Sequence, residues 1–328
     1  MRYLNEALDN CIADNVAIRV GKGDEVICDV FRGNVDQNTI FDMASVTKAI
    51  ATTPLALIAL DRGEIQLDDP VSRFYETEKP MTVKHLLTHM MGIGHKALNK
   101  PGSNYENIAE KILEIPSEFE VGTKVEYSCP GFILLGKIVE KVFGERLDRC
   151  FEKLVAKPLG MKNSTFLPTE RKNIINSNLA QEKIGVVNDY NCQFLGGVAG
   201  NAGLFSNIED ITKYVKMLNS HGFPLFGEKT FDLATKNYTE GMRELRALGY
   251  LYVDKSYKQT GGLFETGAVG HCGHTGQSFF VDYKTGFYAI ILSDATICTA
   301  KKYGGENYRE VMRMREILHS AIKKDIEG

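Results

Sequence analysis

The sequence predicts an α/β (α+β) protein: an antiparallel β-sheet flanked by N- and C-terminal helices, with an inserted all-helical domain. Three observations predict it. β-rich runs lie near both ends of the 328 residues, the middle reads as helix and loop, and no repeat or low-complexity tract breaks the pattern. This places a sheet domain at 1–66 and 240–328 and a helical insertion at 67–239. An active site is expected in the cleft between them.

The elements follow in order. Leu4, Ala7, Leu8, Cys11 and Ile12 have helical spacing. Two β-rich runs, 15–20 and 25–31, surround Gly21-Lys22-Gly23-Asp24 and read as a hairpin. Residues 40–44 form a short strand, and from Ser45 the chain turns helical as far as Asp61-Arg62-Gly63. Thr82 is placed to cap a helix, and 108–113 forms another. Pro130 opens a third helix that stops at Gly144, with proline in the first turn and glycine past the end. Ser206 or Asn207 caps a helix running to Leu218. Strand character returns at 248–253, 278–281 and 287–292, and 307–324 is a periodic terminal helix.

Composition narrows the functional classes. Hydrophobic residues make up 43% and charged residues 25%, which excludes a disordered chain. The net charge is −3 and no Lys/Arg run stands out, so no nucleic-acid partner is expected. No stretch approaches a membrane-spanning run. The first ten residues carry Glu6 and Asp9 and no apolar run, unlike a secretory signal. With seven unevenly spaced cysteines, the expectation is free thiols in a cytoplasmic protein.

Three stretches could carry chemistry. In Ser45-Val46-Thr47-Lys48, a serine at the first turn of a helix shares a face with a lysine three residues on. The amine could take the hydroxyl proton while the helix N-terminus offers N–H groups to an oxyanion. Read alone, the same residues also fit a helix cap and a solvated lysine. Tyr127-Ser128-Cys129-Pro130 leads into a helix, where a tyrosine could relay a proton or simply pack. In Gly273-His274-Thr275-Gly276-Gln277-Ser278, glycines beside a strand allow close approach of a ligand, and the Gln277 N–H could serve an oxyanion hole. Lys284-Thr285-Gly286 falls in a hairpin turn and is rejected, because such a box must lie along a strand lining the cleft.

Together these stretches resemble the serine β-lactamase and penicillin-binding protein superfamily, in particular its class C-like branch of D-Ala-D-Ala carboxypeptidases, D-aminopeptidases and esterases. Residues 63–71, 82–89 and 196–206 are similar to further family stretches, so the resemblance runs from about 40 to 295. It implies Ser45 as acylated nucleophile, Lys48 as its activator and Tyr127 as proton relay. It implies an oxyanion hole of the Ser45 and Gln277 N–H groups, with His274, Thr275, Gly276 and Cys129 contacting substrate, and no cofactor. Two departures stand out: Cys129 replaces the asparagine of Tyr-x-Asn, and His274 replaces the lysine of Lys-Thr-Gly. The second removes a permanent cation. Small esters, amides or peptides are therefore the expected substrates, with esters and small amides ahead of β-lactams and D-Ala-D-Ala peptides.

Two other readings compete. His85, His89, His95 and His271-Cys272-Gly273-His274 offer metal ligands, but no His-Glu-x-x-His is present. A silent binding module is the other, and retention of serine, lysine and tyrosine together argues against it.

Overall fold

In the computed structural model, which describes residues 1–170 and 172–328, the ends of the chain build one antiparallel sheet. The strands are β1 (Val16–Lys22), β2 (Glu25–Arg32), β3 (Phe41–Asp42), β4 (Thr165–Phe166), β5 (Leu204–Ser206), β6 (Leu251–Tyr252), β7 (Val269–Cys272), β8 (Ser278–Asp282) and β9 (Phe287–Ser293). The main sheet has the order β2-β1-β9-β8-β7-β6, and β3, β5 and β4 form a small second sheet. The stretch between the halves of the main sheet, from β2 to β6, holds helices, loops and the three short strands β3, β4 and β5.

Alternation along the strands explains the layering. Ala17, Phe279, Val281, Tyr288, Ile290 and Leu292 face the helices of the middle of the chain. Ile18, Val20, Phe280, Ala289 and Ile291 face the other way, onto Leu4, Leu8, Val311, Met314, Leu318 and Ile322 of the helices Arg2–Asp9 and Tyr308–Glu327. A period of two therefore buries both faces of the sheet. The Asp325 carboxylate accepts from the N–H groups of Tyr3 and Leu4 and so ties the two terminal helices together.

Local signals behave as their chemistry requires. Gly144 closes the helix Cys129–Phe143 in the left-handed conformation, at φ 68°. Asn207 caps the helix Ile208–Asn219 by accepting from the Asp210 N–H. The expected strand at 248–253 reduces to Leu251–Tyr252 because Gly249 takes a positive φ of 74° and breaks the run. A further helix, Ala295–Tyr303, follows β9 directly. No helix among the described residues is long and apolar enough to cross a membrane.

Candidate active site

Segments distant in the sequence meet at a cleft of about 640 Å³ between the sheet and the helical middle of the chain. The first holds Ser45. Asp42 is fully buried and anchors it: one carboxylate oxygen accepts from the Ala44 N–H at 2.8 Å, the other from Ser177 Oγ and the Asn188 N–H. Burial nevertheless pushes the Asp42 carboxyl up to about 6. Ala44 adopts a positive φ of 45°, a strained setting that the Asp42 contact helps to hold. After Ser45 the chain makes a π-helical turn, Lys48–Thr52, before the α-helix Thr53–Asp61. Pro54, which lacks an N–H, stands at that junction, and the wider turn spares the helix its clash.

Lys48 is completely buried. Its Nζ donates to Ser45 Oγ at 3.1 Å, to the Asn201 carbonyl at 2.8 Å and to Cys129 Sγ at 3.5 Å. Nζ also lies 5.0 Å from the centre of the Tyr127 ring, which lines the cleft beside Ser45. Burial alone would lower Lys48, but Cys129 first and Tyr127 next more than offset it and raise the amine to about 12. Burial likewise raises the Tyr127 phenol to about 12, against the pull of Lys48. The Cys129 thiol is pushed up by burial and pulled down by the Lys48 charge and a His95 hydrogen bond, and it ends below its ordinary value. The structure thus brings Ser45, Lys48, Tyr127 and Cys129 together.

The third stretch needs correction. Residues 274–276 are a turn, not a strand lining the cleft: Cys272 pairs with Ser278, and the Gly273 N–H donates to the Gln277 carbonyl at 2.7 Å. Thr275 and Gln277 point behind the nucleophile loop, where Thr275 Oγ1 and Gln277 Nε2 both donate to the Asp42 carbonyl. Gly276 packs against Ser293. These three residues do not line the cleft; Thr275 and Gln277 brace Asp42. The criterion that rejects Lys284-Thr285-Gly286, found in the β8–β9 hairpin turn, also rejects His274-Thr275-Gly276. It selects His271-Cys272-Gly273 at the end of β7. A side chain at Gly273 would meet the Met43 carbonyl, Ala44 and Val46, so this glycine lets the strand close on Ser45.

The Gly273 carbonyl accepts from Arg315, a fully buried arginine of the terminal helix. In a trans peptide the following N–H points the opposite way. That N–H belongs to His274, it has no acceptor among the described residues, and His274 lines the cleft. The His274 side chain turns outward, to Glu306 Oε2 at 2.8 Å and onto the Tyr308 ring.

Two further residues shape the cleft: His271, which the sequence offers only as a metal ligand, and Arg246, which it does not single out. His271 is buried, its Nδ1 is 2.9 Å from the Cys272 carbonyl and its Nε2 has no partner. Burial, with Arg246 and Lys48 nearby, holds it well below the usual imidazole value, so it is neutral. Arg246 lines the cleft at 3% exposure, pairs with Glu244 at 2.8 Å and leaves Nε without a partner. Its guanidinium stands 5.8 Å from the Tyr127 ring centre.

Two of the histidines weighed as metal ligands, His85 and His89, are engaged away from the cleft. His85 completes the capping box with Thr82, while His89 lies beyond the helix Val83–Leu87 and accepts from the Ser128 N–H at 3.0 Å. Among the described residues, the one acid and thiol cluster close enough to hold an ion is Asp14, Asp294 and Cys298, outside the cleft.

The model of the family described as Beta-lactamase matches residues 4–301. The chain belongs to the Beta-lactamase family. Homologues in that family are serine hydrolases. This Beta-lactamase family chain is 29% identical over 240 residues to an N-acetylmuramyl-L-alanine amidase of Bacillus subtilis, covering 60% of this chain and 54% of that protein. It is 33% identical over 160 residues to Esterase EstB of Burkholderia gladioli, covering 41% and 40% of the two. The chain spans about half the length of these curated relatives, or less. In fold it is similar to a beta-lactamase/D-alanine carboxypeptidase of Yersinia pestis, with a TM-score of 0.75 at 16% identity over 99% of this chain and 98% of that one.

Proposed function

We propose that the protein hydrolyses small esters, amides or peptides through an acyl-enzyme on Ser45. The observation that carries this reading is the contact of Lys48 Nζ with Ser45 Oγ at 3.1 Å, with Tyr127 beside them. Lys48 and Tyr127 manage the hydroxyl proton, and the N–H groups of Ser45 and His274 receive the oxyanion. No step calls for a cofactor.

Arg246 refines the substrate. The lysine that the family resemblance leads one to expect is missing, but Arg246, whose guanidinium is buried and whose Nε has no partner, lines the same cleft. It favours substrates with a carboxylate near the scissile bond. The names of the relatives, an amidase and an esterase, fit this range of acyl donors. All seven cysteines are free thiols, which supports a reducing compartment.

The test is labelling with a fluorophosphonate, followed by a panel of aryl esters, D-amino-acid amides, D-Ala-D-Ala peptides and a chromogenic cephalosporin. An adduct on Ser45, lost in Ser45→Ala, is expected. A folded protein without that adduct would refute the reading.

A further inference from the structure

Lys48 presents a difficulty for any base mechanism. Its Nζ is met by three acceptors, Ser45 Oγ, the Asn201 carbonyl and Cys129 Sγ, one for each hydrogen of an ammonium. A buried ammonium has no lone pair with which to strip the Ser45 hydroxyl. Cys129, 3% exposed and 3.5 Å from that nitrogen, supplies a way out. It stands where the family's asparagine is replaced, and His95 reaches it from the exposed rim of the cleft.

We propose that Cys129 is the proton-holding partner of Lys48: its thiolate takes one ammonium proton while Ser45 passes its hydroxyl proton to the same nitrogen. The inference rests on Ser45 being the nucleophile. The step balances. The Ser45 O–H bond breaks as Oγ–C forms, the carbonyl electron pair becomes the oxyanion, Nζ stays an ammonium and Sγ becomes a thiol. On collapse the carbonyl re-forms and the bond to the leaving alkoxide or amine breaks. The proton then runs back from Sγ through Nζ and the Tyr127 hydroxyl to the leaving group.

The groups around the pair agree with it. Lys48 faces Cys129 from the turn after Ser45, His95 and Asp189 face it from loops across the cleft, and Tyr127 lies two residues before it. His89 and Arg246 stand against the Tyr127 ring. The lowered thiol is the expected sign of an anion shared by Lys48 and His95, and His95 is raised chiefly by its bond to Cys129. Cys129 acts through Lys48 and is a positioning residue for the proton.

The test is the pH dependence of kcat/KM for p-nitrophenyl acetate in the wild type, Cys129→Ser and His95→Gln. A serine hydroxyl keeps the shape but cannot hold the charge. The wild-type acid limb should fall below the ordinary thiol ionisation near about 8.5. In Cys129→Ser the limb should move up by about one pH unit or more, with kcat/KM at neutral pH down about tenfold per unit and recovering in alkali. His95→Gln, on the exposed rim, should move it the same way by less. The ultraviolet thiolate absorbance of wild type minus Cys129→Ser should titrate at the wild-type limb. An unmoved limb in Cys129→Ser, or no thiolate at that pH, would overturn the proposal. Phosphonate labelling separates the two claims: an adduct on Ser45 with an unmoved limb sinks the thiol's role alone, while no adduct sinks the nucleophile and this inference with it.

Discussion

Gly273→Ala tests which stretch of β7 closes the cleft. A methyl at this position would sit 2.8 Å from the Met43 carbonyl and 3.4 Å from Ala44 Cβ and Val46 Cγ2. The oxygen contact is several tenths of an ångström too short. The loop cannot give way, because the Met43 N–H is bonded to the Leu204 carbonyl at 2.9 Å and Thr275 and Gln277 grip the Asp42 carbonyl. The end of β7 must move instead, at roughly 1–3 kcal/mol, typical of overpacking. A misplacement of about 1 Å costs on the order of a hundredfold in rate, so about half that shift should cost roughly tenfold. The assay is kcat/KM on an activated ester beside the melting temperature, with Gly305→Ala, where a side chain meets nothing within 4 Å, as the control. A folded Gly273→Ala variant within twofold of wild-type kcat/KM would refute the assignment of His271-Cys272-Gly273 to the cleft wall.

Three further outcomes are expected. Arg246→Gln should raise KM about tenfold or more for an aryl ester carrying a carboxylate and much less for a neutral one, since a charge-assisted hydrogen bond is worth roughly 1.5–3 kcal/mol; equal effects on both would discard the carboxylate subsite. The folded Asp42 carboxyl lies near 6 against 3.8 for an ordinary aspartate, so its contribution to stability is full below about pH 4 and is lost as pH rises through 6. The unfolding free energy of wild type minus Asp42→Asn should therefore drop by roughly 3 kcal/mol over that window in urea titrations, and a flat difference would contradict it. Arg19, 5% exposed, bridges Asp29 at 2.6 Å and Glu209 at 2.7 Å; Arg19→Met should cost about 2–3 kcal/mol, discounted for the partial exposure of both acids. A loss below about 1 kcal/mol by denaturant melt would count against this.

Local chemistry was readable before the structure, and long-range register was not. Ser45 and Lys48 share a face through spacing alone, and the stops at Gly144 and Asn207 follow from backbone and cap preferences. His-x-Gly occurs twice in His271-Cys272-Gly273-His274-Thr275-Gly276, and the motif alone cannot rank the two copies. The hairpin could have ranked them: the five residues between Cys272 and Ser278, two of them glycines, are a turn's worth of chain. Arg246 and His95 gave no such sign. Each reaches the cleft by tertiary packing from a loop with no recognisable pattern, so only the fold shows what they face.

The arginine beneath Gly273 makes the far end of the polypeptide an organ of the catalytic centre. Arg315 aims one peptide unit, and the helix that carries it is clasped by Asp325 to the opening turn of the chain. Loosening that clasp would let the peptide swivel, and transition-state charge would lose a donor although no group in the cleft had been altered.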